Sequence, residues 1–338
     1  MRVGGPPRLV NTGFTMMMLT LFALSAVVGS SYGATVEDFS GSRGVQPRKL
    51  DVPENGQLLF QQLARTVPIE EVVFIWCKEQ GFECCKVLNN CNDNIVNTGN
   101  VCLRDHDLAV EHQEIITHKK LVTGWFHWGI QQYIEGPYSM MTIMGNPLSR
   151  YFTALQHRYR SETEKVAFAE IFLPQAIEMD FKATGGLYKK VTGNLWKLVG
   201  REWLRDIREP SDEDMEKAVA EAKQNLDTYW FVGVEEQEPG FTAMVRAHLD
   251  PGNAYGIVWD LDMKKIPGKN NFPIETEAIM EALGPELVGR VNNTLRYEWD
   301  VYEYTVDLFK RGCLEVLPPE QHEQLCTVPP SSSLHFPV

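Results

Sequence analysis

The sequence predicts an α/β domain in which helices cover a parallel β-sheet on both faces. Short runs of β-branched and aromatic residues alternate with segments of helical periodicity, which is the pattern of strands connected by helices. The 338 residues are enough to bury a substantial core. A hydrophobic content of 43% and a charged content of 23% are ordinary for a folded protein, so the composition excludes a wholly disordered chain.

Residues 1–34 have the composition of a targeting segment. Arg2 and Arg8 precede an apolar run over residues 14–29, and small residues follow through Ala34. A basic start and an apolar run are typical of a secretory signal, although a membrane-spanning helix needs about 20 apolar residues. A cleaved signal peptide and a short type II signal anchor both remain open, and a buried first helix of the domain is the third alternative. Either signal places the body of the protein in the lumen of the secretory pathway or outside the cell.

The cysteines agree with an oxidising compartment, where disulfides persist. Five of the seven lie between Cys77 and Cys102, while Cys313 and Cys326 are spaced to close a local loop. An odd number leaves at least one thiol free or intermolecular. The sequence also contains one glycosylation sequon, Asn292-Asn293-Thr294.

The first half of the predicted domain begins after a polar linker over residues 35–68. Val72–Trp76 reads as a buried strand, and residues 89–100 read as a loop because they are rich in Asn and Asp. Met140–Met144 is a second strand, which stops at Gly145-Asn146-Pro147 and leads into a helix over residues 148–160.

The second half contains the clearest helix, Ser211–Leu226, where Ser211 and Asp214 form a capping box. A third strand is predicted at Tyr229–Val234, and two further helices over residues 275–288 and 293–309. The domain is predicted to span residues 69–326, with a flexible tail over residues 327–338.

The net charge of −13 argues against general nucleic-acid binding, because neutralising phosphates needs a basic surface. It does not exclude an anionic ligand, since a local basic cleft can hold one on an acidic molecule.

Three segments carry a resemblance to a known family. They are Gly124–Tyr133 together with the following strand and residues 145–153, then Ala218–Leu249, then Asn293–Phe309 with Glu298 and Tyr302. In order and spacing they resemble the uronyl and heparan sulfate 2-O-sulfotransferases, over roughly residues 70–315. The segment Ala218–Leu249 matches that pattern without gaps.

The resemblance implies a P-loop-like sulfotransferase fold and a Golgi location, with membrane attachment through residues 1–34 if they are not cleaved. It implies transfer of sulfuryl from 3′-phosphoadenosine 5′-phosphosulfate to a hydroxyl of an acidic glycan, without a metal. That chemistry needs donors around the 5′-phosphosulfate, a base for the attacking hydroxyl and a cation for the 3′-phosphate.

For the phosphosulfate loop, the resemblance points to Lys78 and Gly81, which follow the predicted strand Val72–Trp76. Glu79 and Glu83 add negative charge there, which departs from the family pattern. The alternative is that Lys78 is a solvated surface lysine.

For the base, the resemblance points to His127. The family has a His-Gly-His pattern here, and Gly129 stands in place of the second histidine. A neutral imidazole suits this role near pH 7. The alternative is a histidine packed beside Trp125 and Trp128.

For the nucleotide, the resemblance points to Arg150 and Thr153, while Gly145 stands where the family has its leading arginine. The basic loop with Lys264, Lys265 and Lys269 resembles a late basic loop of the family. The alternatives are an arginine that pairs with a structural carboxylate, an ordinary helical threonine and a solvated basic turn.

Two functions follow from these residues. One is a sulfotransferase with Lys78 and His127 as its central residues. The other is a catalytically inactive lumenal protein that keeps the fold and binds a glycan or regulates a partner. An enzyme that handles two polyanions requires Lys78, Arg150 and the basic loop to converge.

Overall fold

A computed structural model describes residues 56–64, 68–89, 101–104, 107–108, 110–159, 177–178, 194–200, 210–259 and 276–328. The chain divides into two compact units, residues 1–46 and 47–338, and all described residues belong to the second. The predicted targeting segment and the tail beyond Val328 lie outside the described residues. Within them, every helix is too short or too polar to cross a bilayer.

The core of the fold is one sheet of seven strands. The strands are β1 Gln57–Leu63, β2 Cys84–Asn89, β3 Val101–Arg104, β4 Asp107–Leu108, β5 Leu121–Gly124, β6 Tyr138–Met144 and β7 Phe231–Val234. Their order is β4-β3-β2-β5-β1-β6-β7, and every neighbouring pair is parallel except β3 and β4. The predicted parallel α/β sheet is confirmed.

Helices flank this sheet. They are α1 Pro68–Glu79, α2 Val110–Thr117, α3 Pro147–Tyr159, α4 Asn194–Val199, α5 Asp212–Leu226, α6 Glu238–Leu249, α7 Thr276–Thr294, α8 Arg296–Val316 and α9 Pro319–Leu325. Gly284 has a φ of 74° and interrupts α7. Short 3₁₀ turns occur at Ile130–Tyr133, Glu235–Gln237 and Pro251–Asn253.

The predicted strand Val72–Trp76 is wrong, because these residues lie in α1. Burial follows the helical period and not alternation: Ile75 is 42% exposed, and the buried set is Ile69, Val72, Val73 and Trp76. Five apolar residues are too few to separate a strand from a buried helix by composition.

The first strand lies instead at Gln57–Leu63, inside the predicted linker, so the domain begins earlier than residue 69. All seven residues of β1 are buried although three are glutamines. Each glutamine needs partners to be buried at low cost. Gln57 finds three, since its Nε2 donates to the carbonyls of Ile116, Thr117 and Lys119.

Other predicted elements are confirmed. β6 is followed directly by α3, and the side chain of Asn146 caps that helix by accepting from the amides of Leu148 and Ser149. The capping box between Ser211 and Asp214 is present at the start of α5.

Two disulfides are formed among the described residues. Cys313–Cys326 closes the local loop that the spacing suggested, and Cys77–Cys84 joins the end of α1 to the start of β2. Cys85 is a buried free thiol. Most of the predicted loop over residues 89–100 lies outside the described residues.

Candidate functional site at the carboxyl edge of the sheet

The sheet topology points to the carboxyl ends of its central strands. From β1 the chain crosses by α1 to β2 on one side, whereas from β5 it crosses to β6 on the other side of β1. Ligands of open α/β sheets bind at such a switch point, outside the carboxyl ends of the strands. The residues following β5, β6 and β7 therefore form the candidate site.

A buried glutamine fixes the segment after β5. Gln61 of β1 donates from Nε2 to the carbonyl of Phe126 at 2.9 Å and to that of Lys197 at 3.2 Å. Its Oε1 accepts from the hydroxyl of Tyr229 at 2.7 Å. All four polar groups lie away from water, where a satisfied network is rigid. Gln61 thereby joins the β5 segment, α4 and the entrance to β7.

His127 lies within this fixed segment and is 9% exposed. Its carbonyl accepts from the amide of Ile130, and the next amide, that of Trp128, donates to the carbonyl of Lys197 at 2.6 Å. Gly129 then adopts a φ of 103°, which a side chain would disfavour. The histidine predicted as a base is therefore held on both sides at the carboxyl edge.

Two cations lie against one indole ring beside His127. The Nζ of Lys197 is 3.8 Å from the ring centroid of Trp125, and the Cζ of Arg150 is 5.1 Å from it. Lys197 is only 8% exposed, and its Nζ has no hydrogen-bond partner. Burial, and then the nearby Arg150, hold the pKa of Lys197 well below its usual range. Such perturbed groups concentrate at functional sites.

The buried carboxyl of Glu298 on α8 faces the same cluster. Its Oε1 accepts from the amide of Leu195 at 3.1 Å, at the start of α4. Burial raises the pKa of Glu298 to about 8, against the opposing effects of that amide, Arg150 and Lys197. Arg150 and Lys197 thus favour the ionised carboxylate of Glu298, while burial favours its protonated form.

Gly145, at the end of β6, lies against a carboxylate. A Cβ added at this position would be 2.4 Å from Oε2 of Glu235 and 3.2 Å from Cγ of Arg150. Glu236, which follows Glu235 in the chain, accepts from the hydroxyl of Tyr302 at 2.7 Å and from the amide of Asn146 at 3.1 Å. Burial raises the pKa of Glu236. A carboxylate thus occupies the space into which an arginine at position 145 would project.

Lys78 and Gly81 lie at the opposite edge of the sheet from the candidate site, and they follow a helix instead of the predicted strand. α1 runs back from the end of β1 to the start of β2, and Lys78 stands in its last turn, 4.9 Å from the ring of Phe74. Gly81 forms the turn into β2 with a φ of 71°. The difference in position follows from the misassigned strand. The true connection from β1 to α1 is formed by residues 65–67, which lie outside the described residues.

The other predicted nucleotide contacts have different outcomes. Arg150 is at the carboxyl edge, as described above. The hydroxyl of Thr153 donates to the carbonyl of Ser149 at 2.8 Å inside α3, which is the ordinary bond of a helical threonine. Lys264, Lys265 and Lys269 lie outside the described residues.

Lys197 is the site residue that sequence reasoning missed. It is the single charge in the hexapeptide Asn194–Val199, all of which is buried. A lone lysine in an apolar run was the available signal, because burying an ammonium is costly unless it has a task.

No family model matches this chain, and no curated protein does. Within the residues that the structure describes, no group of three or more His, Cys, Asp or Glu side chains is placed to hold a metal ion.

Proposed function

We propose that the protein is a sulfotransferase that moves sulfuryl from 3′-phosphoadenosine 5′-phosphosulfate to a hydroxyl of an acidic glycan in the Golgi lumen. The observation that carries the proposal is that Arg150 and Lys197 lie on one indole ring, that of Trp125, two residues before His127 at the switch point of a parallel sheet. A doubly anionic donor requires cations in a water-poor cleft, and a hydroxyl acceptor requires a base beside them.

Arg150 suits the nucleotide end of this site. It lies in the first turns of α3, directly after β6, and its guanidinium can donate two parallel hydrogen bonds to a phosphate.

His127 is the base of the proposed reaction. The acceptor hydroxyl attacks sulfur while its proton passes to the imidazole of His127. The bond between sulfur and the 5′-phosphate oxygen breaks, and its electron pair leaves with the nucleotide. The hydrogen bonds of the Phe126 carbonyl and the Trp128 amide fix the backbone on both sides of His127, which reduces the motion that the reaction must otherwise restrict.

A transfer assay tests the proposal. The full-length chain, expressed in cultured cells and purified, is incubated with ³⁵S-labelled donor and chemically desulfated heparin. We expect labelled glycan from the wild type and from Lys78→Met, and a loss of about a hundredfold or more in His127→Ala. The proposed activity would be contradicted if folded wild type transferred no label to desulfated heparin, chondroitin or dermatan.

A second function, binding a glycan without catalysis, is favoured by one observation. The carboxylate of Glu235 fills the space beside Gly145, where the 2-O-sulfotransferase family has an arginine for the 3′-phosphate. Negative charge there opposes nucleotide binding. This function predicts that the protein retains desulfated heparin on a column while it fails to bind 3′-phosphoadenosine 5′-phosphate.

A further inference from the structure

Lys197 has an environment that a purely structural lysine avoids. Its side chain is more than nine-tenths buried, and its Nζ makes no hydrogen bond. Buried ammonium groups are normally paired, because burying an isolated one lowers the stability of the fold. The ring of Trp125 at 3.8 Å compensates part of this cost but accepts no conventional hydrogen bond.

The neighbouring guanidinium of Arg150 increases the cost. Arg150 lies over the same indole at 5.1 Å and acts on Lys197 as a like charge. Glu298 acts on both, yet its Oε1 already accepts from the amide of Leu195. An oxyanion that enters between Lys197 and Arg150 would give the ammonium a strong acceptor and would separate the two like charges.

The backbone of Lys197 is fixed in a way that suits a binding residue. Its carbonyl accepts from both Nε2 of Gln61 and the amide of Trp128. Gln61 also donates to the carbonyl of Phe126, and Trp128 directly follows His127, so the same two donors hold the backbone around the histidine. The backbone of Lys197 is therefore held beside the backbone that carries the proposed base, which contributes to the preorganisation that a ligand site needs.

We propose that Lys197 and Arg150, on the indole of Trp125, form an oxyanion subsite that holds one negatively charged group of the substrates. The group is either a phosphate of the nucleotide or a carboxylate or sulfate of the glycan. The inference rests on the proposed site but not on sulfuryl transfer. Anion binding without transfer would support the subsite and would contradict the proposed enzymatic activity.

Inorganic sulfate is the probe for this subsite. The full-length wild type and Lys197→Met are titrated with sodium sulfate at constant ionic strength, and binding is followed by calorimetry and by the thermal midpoint. We expect sulfate to bind the wild type and to raise its midpoint, and to bind Lys197→Met about tenfold or more weakly. Methionine keeps the length and the contact with the ring without the charge.

Lys78→Met is the matched control, because it removes a lysine from the opposite edge of the sheet. Its sulfate affinity is expected to equal that of the wild type. Arg150→Gln, which leaves Lys197 in place, provides a second test if Lys197→Met does not fold, and it should also lower the affinity about tenfold. Equal sulfate binding by wild type, Lys197→Met and Arg150→Gln, or none by the wild type, would overturn the subsite.

Separate titrations identify the natural anion. If 3′-phosphoadenosine 5′-phosphate competes with sulfate in the wild type, the subsite belongs to the nucleotide. If a desulfated heparin oligosaccharide competes and the nucleotide does not, it belongs to the glycan. Both results support the subsite, whereas competition by neither would contradict its place in the substrate cleft.

Discussion

At the scale of single residues, the candidate site is defined by polar groups that have been buried at a cost. Lys197 is the clearest case, since its ammonium lies against Trp125 without a hydrogen bond. Residues that serve a ligand often reduce the stability of the fold that carries them. Substitutions here should therefore separate stability from binding.

Lys197→Met should make the protein more stable while it loses the anion. The pKa of Lys197 is lowered in the folded state, so at neutral pH the unfolded chain binds the proton more strongly and unfolding is favoured. Removing the group should raise the free energy of unfolding by about 1 kcal/mol or more at pH 7, measured by urea denaturation. The stabilisation should shrink as the pH approaches the usual lysine range.

Lys223→Met is the control for this measurement. Lys223 is a partly exposed lysine on α5 that pairs with Asp300. Its loss should change the free energy of unfolding by less than about 1 kcal/mol. A destabilised Lys197→Met beside an unchanged Lys223→Met would show that Lys197 is structural.

Glu298 should make stability fall as the pH rises. Its folded pKa of about 8 lies above the ordinary carboxyl value of 4.5, so its contribution is complete below the ordinary value and is lost as the pH rises through 8. Glu298→Gln keeps an oxygen for the amide of Leu195 but cannot ionise. Urea denaturation at pH 5 and pH 8 should show a smaller loss of stability in the variant, whereas parallel losses would contradict the assignment.

The sequon asparagine should carry no glycan. Asn292 is 4% exposed, and its Oδ1 accepts from Nε1 of Trp299 at 3.2 Å. The side chain of Asn292 would have to leave the core of the domain to carry a glycan on its amide nitrogen. Secreted protein should show no mass change at this peptide after treatment with an amidase that removes N-glycans. A glycosylated Asn292 in folded protein would contradict the packing of α7 against α8.

At the scale of elements, the sequence predicts best where local chemistry decides the structure. The capping box of α5 and the Gly145-Asn146-Pro147 stop after β6 are such cases, because their partners lie within a few residues. β1 could not be predicted in this way. Gln57 and Gln61 find partners in distant groups, such as Tyr229 for Gln61, which the sequence around β1 does not reveal.

The same contrast holds for the site. Arg150 follows β6, which the sequence predicts, whereas His127 follows β5, which it does not. The sequence misplaces Lys78 because a short apolar run reads as a strand. The turn after such a strand would lie at the carboxyl edge of the sheet, whereas the turn after α1 lies at the amino edge. The lone lysine of α4 signals a costly burial, but only the packing shows that Lys197 shares the ring of Trp125 with Arg150.

Gly124 at the end of β5 should tolerate no side chain. Its φ is 131°, and an added Cβ would lie 2.2 Å from the carbonyl oxygen of Val87 on β2. Gly124→Ala should lower the free energy of unfolding by about 2 kcal/mol or more, because backbone cannot move aside as a flexible side chain can. Chemical denaturation measures this directly.

Gly289→Ala is the matched control for the β5 variant. Gly289 lies in α7 with no atom near its added Cβ, so alanine should stabilise the helix by up to about 1 kcal/mol. Equal effects of the two substitutions would contradict the close approach of β5 to β2.

At the scale of the whole molecule, the two edges of the sheet have different roles. The amino edge carries Lys78 and the Cys77–Cys84 disulfide, and it is stabilised by covalent closure. The carboxyl edge carries His127, Arg150 and Lys197, and it gathers buried charge from three segments distant in sequence. An acidic protein can hold an anionic ligand in this way, since the local field of a cleft outweighs the net charge.

The most direct test of a nucleotide site at the carboxyl edge is calorimetric titration of the full-length chain with 3′-phosphoadenosine 5′-phosphate at modest salt. We expect the wild type to bind the nucleotide and Lys78→Met to bind it with the same affinity. The affinity of Arg150→Gln should be lower by about tenfold or more. Folded wild type that does not bind millimolar nucleotide, or a loss of binding in Lys78→Met with none in Arg150→Gln, would contradict a nucleotide site at the carboxyl edge.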